Sequence, residues 1–316
     1  MRRFIFLTMI LLMSSLLAAQ SSSRIAPANP AAAPTSKIVN AKTLLDDIKT
    51  LAADEMRGRG AGSPENQKAR EFVEERFKEA GLKPLETSYL QEFPLRSRNN
   101  TEAGKGTNVI GLIKGRKMPE KYIVITAHYD HVGVNDGEIY NGADDNASGT
   151  AALFALAAYF KKNQPAYSLL FVAFDAEERG LQGARHFVGN LPVKKESVLL
   201  NINMDMISRN DKKELYAIGT FHYPSLKPHL EKIAKRAPVK LLLGHDRPEL
   251  GRDDWTNQSD HGAFHQAKIP FIYFGVEDHA DYHRPTDDFA NIDQEFYVKA
   301  VETILLAVKE MDKNLK

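Results

Sequence analysis

Residues 122–180 read YIVITAHYDHVGVNDGEIYNGADDNASGTAALFALAAYFKKNQPAYSLLFVAFDAEERG, and the order of their segments fixes the fold class. The apolar run YIVITA (122–127) has the length of a buried strand. A helical pattern occupies Gly149–Lys162, and a second apolar run, SLLFVAFD (168–175), follows it. Strand, helix and strand in that order form the unit from which parallel sheets are built. On either side, NVIGLI (108–113), SVLLNINMD (197–205) and IPFIYFG (269–275) read as further strands. Ser63 and Pro64 open a helix that runs to Ala80 and stops at Gly81, with Ala69, Phe72, Val73, Phe77 and Ala80 on one face. Further helical patterns cover Leu181–Gly189, Pro224–Ala237 and Asp293–Lys313. The alternation predicts a single α/β domain with a mixed, mostly parallel central sheet covered by helices on both faces. In such sheets, ligands collect at the carboxyl ends of the strands.

Composition narrows the chemistry. The chain has 316 residues, 43% of them hydrophobic, enough for a substantial core. Its formal charge is +1, from 42 basic and 41 acidic residues, which gives no reason to expect nucleic acid as a partner. It has no cysteine, which excludes disulfides, thiolate-bound metals and cysteine nucleophiles. A metal site here must use His, Asp and Glu. Arg2 and Arg3, the apolar stretch Phe4–Leu17 and the small residues Ala18 and Ala19 have the pattern of a secretory signal peptide. Its removal, residues 1–19, takes the formal charge to −1. Residues 20–37, rich in Ser, Ala and Pro, read as a disordered linker, and the folded domain is expected over 38–316. No membrane partner beyond export is expected.

Ionisable residues crowd the ends of the apolar strands. YIVITA runs into His128, Tyr129 and Asp130, and the segment before the next helix carries Asp144 and Asp145. SLLFVAFD runs into Glu177 and Glu178, SVLLNINM ends on Asp205, and Tyr282 and His283 follow IPFIYFG. Such groups are costly beside buried strands unless paired or bound to metal. Two histidines and three carboxylates form a nitrogen and oxygen donor set suited to zinc. Five donors exceed the usual four of one ion, whereas two ions sharing a carboxylate use them all. Each piece alone has a plainer reading. His128 could be a hydrogen-bonded strand-end histidine, Asp144 and Asp145 helix caps, Glu177 and Glu178 a solvated turn, and Asp205 a loop residue. His131 is read as a neighbour lining the cluster, and His186, His222, His229, His245, His265 and His279 as outside it.

Jointly, TAHYDHVG, NGADDNASG, FDAEERGLQGARHFV, NMDMI and YHRPTDD resemble the zinc-dependent exopeptidases of peptidase family M28, the co-catalytic di-zinc aminopeptidases. The resemblance covers about residues 40–314, with weaker matches in MRGRGAGSPEN near Met56 and in SDHGAF (259–264). It implies the zinc-exopeptidase fold, a phosphorylase/hydrolase-like sandwich. It also implies two Zn²⁺ ions bridged by Asp145, one completed by His128 and Asp205, the other by Glu178 and His283. Glu177 would be the general base, and Asp130 the partner that orients His128. The peptide after Asp145 would be cis. Asn146 stands where some relatives carry a second Asp, and no ligand is missing.

Amide hydrolysis explains these residue types on its own terms. It needs a nucleophile active near neutral pH, which a metal pair can supply, and a carboxylate free of metal to carry the proton to the leaving amine. Tyr282 or a nearby hydroxyl is expected to donate a hydrogen bond to the oxyanion. Glu177, Asp205 and Asp260 would attract an α-ammonium group, and Trp255 and Phe264 would either wall an apolar side-chain pocket or belong to the core. The expected function is therefore an exported metallo-aminopeptidase acting on peptides with a free N-terminus. Two alternatives stand beside it: a glutaminyl cyclase-like aminoacyltransferase with one zinc, and a catalytically silent binding module of the same fold.

Overall fold

The computed structural model describes residues 33–315, apart from 86 and 98; the expected signal peptide and most of the expected linker lie outside them. Ten strands are present in the described residues. They are β1 (Leu90–Arg96), β2 (Glu102–Ile113), β3 (Met118–His128), β4 (Gly133–Asn135), β5 (Glu138–Tyr140), β6 (Tyr167–Phe174), β7 (Val198–Met204), β8 (Glu214–Ile218), β9 (Lys240–Leu243) and β10 (Phe271–Gly275). Seven α-helices accompany them: α1 (Ala41–Leu51), α2 (Pro64–Glu79), α3 (Gly149–Lys162), α4 (Gln182–Gly189), α5 (Lys227–Ala234), α6 (His261–Gln266) and α7 (Gln294–Asn314).

Eight strands form one mixed sheet in the order β1-β2-β6-β3-β7-β10-β8-β9, and β4 and β5 make a separate hairpin. The four middle strands, β6, β3, β7 and β10, are mutually parallel. Antiparallel pairs join β1 to β2, β2 to β6 and β10 to β8. All eight residues of β6 are buried, as expected of a strand paired on both edges and covered on both faces. Its side chains alternate between two cores. Leu169, Phe171 and Ala173 pack with α1, α2, α3 and α7, whereas Leu170, Val172 and Phe174 meet Phe187 of α4 and Phe264 of α6.

Local chemistry explains the helices. The Ser63 hydroxyl accepts from Asn66 N–H at 3.0 Å and Pro64 fills the first turn of α2. Gly81, at φ +80°, then ends that helix in a left-handed conformation that glycine adopts without cost. Asp293 caps α7 through Phe296 N–H at 3.0 Å. The helix expected over Pro224–Ala237 is shorter: a 3₁₀ turn at Pro224–Leu226 leads into α5, which ends at Ala234 ahead of Pro238. No helix among the described residues is long and apolar enough to cross a membrane.

Candidate metal centre

The four parallel strands finish side by side, and the ionisable residues leave from those ends. His128 is the last residue of β3, Glu177 and Glu178 follow β6, Asp205 follows β7, and His283 follows β10. Asp145 comes from the loop between β3 and α3, and the peptide joining it to Asn146 is cis.

The Asp145 carboxylate faces both ways. Its Oδ1 lies 3.4 Å from His128 Nε2, and its Oδ2 lies 3.0 Å from His283 Nε2. Asp205 Oδ1 approaches His128 Nε2 at 3.3 Å, and Glu178 Oε2 approaches His283 Nε2 at 3.3 Å. The structure thus brings together all five residues expected to hold metal, as two groups joined by Asp145. His131 takes a larger part than the sequence suggests. Fully buried, it places Nδ1 2.8 Å from Glu178 Oε1 and 3.7 Å from Asp145 Oδ2. Two trios, His128/Asp145/Asp205 and His131/Asp145/Glu178, each offer donor atoms within 4.8 Å of one another.

The donor set, histidine nitrogens and carboxylate oxygens, suits zinc. His128 Nε2 and Asp205 Oδ1 are buried without a hydrogen-bond partner. Unpartnered buried donors and acceptors are costly, and these two belong to the trio His128/Asp145/Asp205. Electrostatics agrees. Burial and Asp145 push the Glu178 carboxyl up, but His131 and His283 outweigh them and hold it at about 2. Burial lowers the His283 imidazole, but Asp145 and Glu178 raise it to about 10.

The adjacent glutamates diverge. Ala176, at φ +57°, turns the chain just after β6, so Glu178 reaches His131 and His283 while Glu177 lines a small cavity with Asp205. Burial, with the charges of Asp205, Asp260 and Glu178, pushes the Glu177 carboxyl well above its usual range against the pull of His128. Asp130 faces His128 with both its main chain and its side chain. His128 Nδ1 meets the main-chain carbonyl of Asp130 at 3.0 Å, whereas the carboxylate is 3.7 Å away. That carboxylate instead accepts the Glu177 N–H at 3.0 Å. The backbone fixes the ring, and the side chain fixes the neighbouring loop.

Several supports were not foreseen. Asp287 accepts the N–H groups of Asp144 and Asp145 at 2.9 and 3.0 Å, clamping the loop that carries the shared carboxylate. Asp144 accepts from Ser208 and approaches His279 Nε2 at 3.0 Å, which gives His279 a structural place beside the site. Arg59, fully buried, donates to the carbonyls of Leu51, Tyr129, Asn141 and Gly142 at 2.6–3.0 Å. It ties the β3 loop to the Asp145 loop, and the weak match MRGRGAGSPEN was its only signal.

The small cavity, about 70 Å³, is lined by Asp145, Glu177, Asp205, Trp255, Tyr273 and Tyr282 among others. Tyr282 stacks on His283 with ring centroids 4.0 Å apart. Trp255 reaches this cavity, but Phe264 is core, 6.0 Å from the Phe187 ring. Asp260 is fully buried and does not line the cavity.

Parallel strands thus end in two donor groups joined by the Asp145 carboxylate, a candidate metal centre on an α/β sheet. The family model "Peptidase family M28" matches residues 108–308, and the chain belongs to that family. It is 32% identical over 219 residues to Aminopeptidase YwaD of Bacillus subtilis, which covers 66% of this chain and 45% of that protein. The chain spans about half the length, or less, of the curated relatives it matches. Among solved structures, BSAP, a zinc aminopeptidase from Bacillus subtilis, superposes with a TM-score of 0.69 at 19% identity, covering 87% of this chain and 95% of that one. Porphyromonas gingivalis glutaminyl cyclase gives 0.69 at 17% identity, over 87% of this chain and 100% of that one. At those identities the likeness concerns the fold.

Proposed function

We propose that the protein is an exported zinc aminopeptidase that removes N-terminal residues from peptides. One observation carries the reading: Asp145 presents one oxygen to His128 and the other to His283. In the proposed assignment two zinc ions are held by His128, Asp145 and Asp205 and by Asp145, Glu178 and His283. When bound, the pair supplies Lewis-acid polarisation of the scissile carbonyl and acidifies the attacking water. Glu177 accepts the proton of that water and delivers it to the leaving amine. Asp130 holds the Glu177 backbone in register, and the Tyr282 hydroxyl donates to the developing oxyanion. The carboxylates of the small cavity, Glu177, Asp205 and Asp278, receive the substrate's α-ammonium group. Export rests on Arg2, Arg3 and the apolar stretch Phe4–Leu17, with residues 1–19 removed, 20–37 as a tether and 38–316 as the enzyme.

The test compares zinc-loaded protein on leucine p-nitroanilide and on its N-acetyl derivative. Cleavage of the first and sparing of the second is the expected result. Equal cleavage of both, or cleavage from a C-terminus, would overturn the exopeptidase assignment. Cyclisation of an N-terminal glutamine with one zinc per chain would favour the transferase instead, and absence of any turnover the binding module.

A further inference from the structure

The small acidic cavity meets a larger one. A cavity of about 710 Å³ shares Glu178 and His283 with it and is bounded further out by Arg96, Ser97 and Arg179. That volume falls within the roughly 300–1,000 Å³ typical of ligand pockets. The two cavities differ in charge. The small one is lined by five carboxylates, Asp145, Glu177, Glu178, Asp205 and Asp278, and by no lysine or arginine. The large one adds two guanidinium groups, and neither makes an ion pair among the described residues. Among the described residues, the Arg96 guanidinium donates only to the carbonyl of Asn100, at 3.1 Å.

The main chain at the two arginines, whose side chains are exposed, is tied together. The side-chain amide of Gln182 accepts the Arg96 N–H at 2.8 Å and donates to the carbonyls of Arg96 and Arg179 at 2.9 and 3.0 Å. One side chain from the first residue of α4 thus ties the end of β1 to the segment that follows Glu178. The Glu178 loop and the arginine pair are parts of one scaffold.

We infer that the large cavity receives the leaving-group side of the peptide, where Arg96 and Arg179 bind a carboxylate on the residue after the scissile bond. This rests on the aminopeptidase reading above. A substrate straddling Glu178 and His283 places its ammonium group among the carboxylates and its next residue beside the arginines. The planar guanidinium fork suits a carboxylate, and two forks hold it more selectively than one. The carboxylate comes either from the C-terminus of a dipeptide or from an acidic side chain in a longer peptide.

Two measurements on zinc-loaded protein test this. The first is the kcat/KM ratio of Leu-Gly, and of Leu-Glu amide, to Leu-Gly amide, in the wild type, Arg96→Gln, Arg179→Gln and the double variant. The second is the Kd ratio, by calorimetry, of the reduced-bond analogue of Leu-Gly and of its amide. The expected preference for the free carboxylate is about tenfold in the wild type, falling to about twofold or less in the double variant and recovering in part with Lys at both positions. A preference for Leu-Gly alone assigns the site to dipeptides, and one for Leu-Glu amide alone to acidic side chains. Ratios near one in the wild type, or unchanged in the double variant, overturn the inference while leaving the aminopeptidase reading intact. Tight, carboxylate-selective binding of the analogue without hydrolysis of any substrate would support the arginine site and overturn the aminopeptidase reading.

Discussion

The carboxylate of Asp130 accepts the main-chain N–H of Glu177 at 3.0 Å, so the residue beside His128 also holds the backbone of the proposed base. Asp130→Ala should therefore lower kcat by about 10²-fold through misplacement of Glu177, with KM little changed. Asp130→Asn keeps an acceptor oxygen and should recover much of that loss. Zinc content equal to wild type in both variants, measured by atomic absorption, accompanies this outcome; a loss of metal in Asp130→Asn would contradict it.

Glu177 and Glu178 separate cleanly. Glu177→Gln preserves shape and removes the proton acceptor, so turnover should fall by roughly 10²–10⁴-fold with both metals retained. Glu178→Gln should instead weaken one metal site, and added zinc should partly restore activity. Loss of metal from Glu177→Gln would mean that the two roles are reversed.

Arg59 lies fully buried against four carbonyls and no carboxylate within hydrogen-bonding distance. Arg59→Ala leaves those acceptors unpaired and should cost on the order of 3–5 kcal/mol, read from urea unfolding. A change below about 1 kcal/mol would show that water replaces the guanidinium without loss.

His261 supplies a pH dependence. Burial lowers its imidazole to about 3, while its Nε2–H donates to the Trp255 carbonyl at 2.8 Å. The folded protein keeps this ring neutral between about pH 6.5 and 3, where the unfolded chain binds the proton. Its contribution is therefore complete above pH 6.5 and is lost as the solution is acidified. Between pH 7 and 4 the loss from this residue should be on the order of 3 kcal/mol. His261→Gln should show a correspondingly flatter acid arm in urea titrations; an equal slope would remove His261 as a cause.

The strands and helices that build the site were legible because they are buried on both faces. The runs at 122–127 and 168–175 are predominantly apolar, and Gly149–Lys162 is a helix at those bounds. The edge of the sheet was not legible. β1 contains Pro94 and alternates exposed charge with burial, β8 and β9 have five and four residues, and none presents the apolar run of a central strand. α1 carries its signal in Leu44, Ile48 and Leu51 behind the cap Asn40. In the site, residue types at strand ends pointed to the donors. Partnerships made across the fold, Asp287 with the Asp144 and Asp145 amides or Arg59 with four carbonyls, leave no local pattern in a sequence.

Zinc titration of metal-stripped protein, with hydrolysis of leucine p-nitroanilide as the readout, tests the central claim most directly. The account predicts that activity rises until two zinc ions are bound per chain, and that Asp145→Asn, which weakens the shared carboxylate, impairs uptake of both. Full activity at one zinc per chain, or activity independent of zinc, would contradict it.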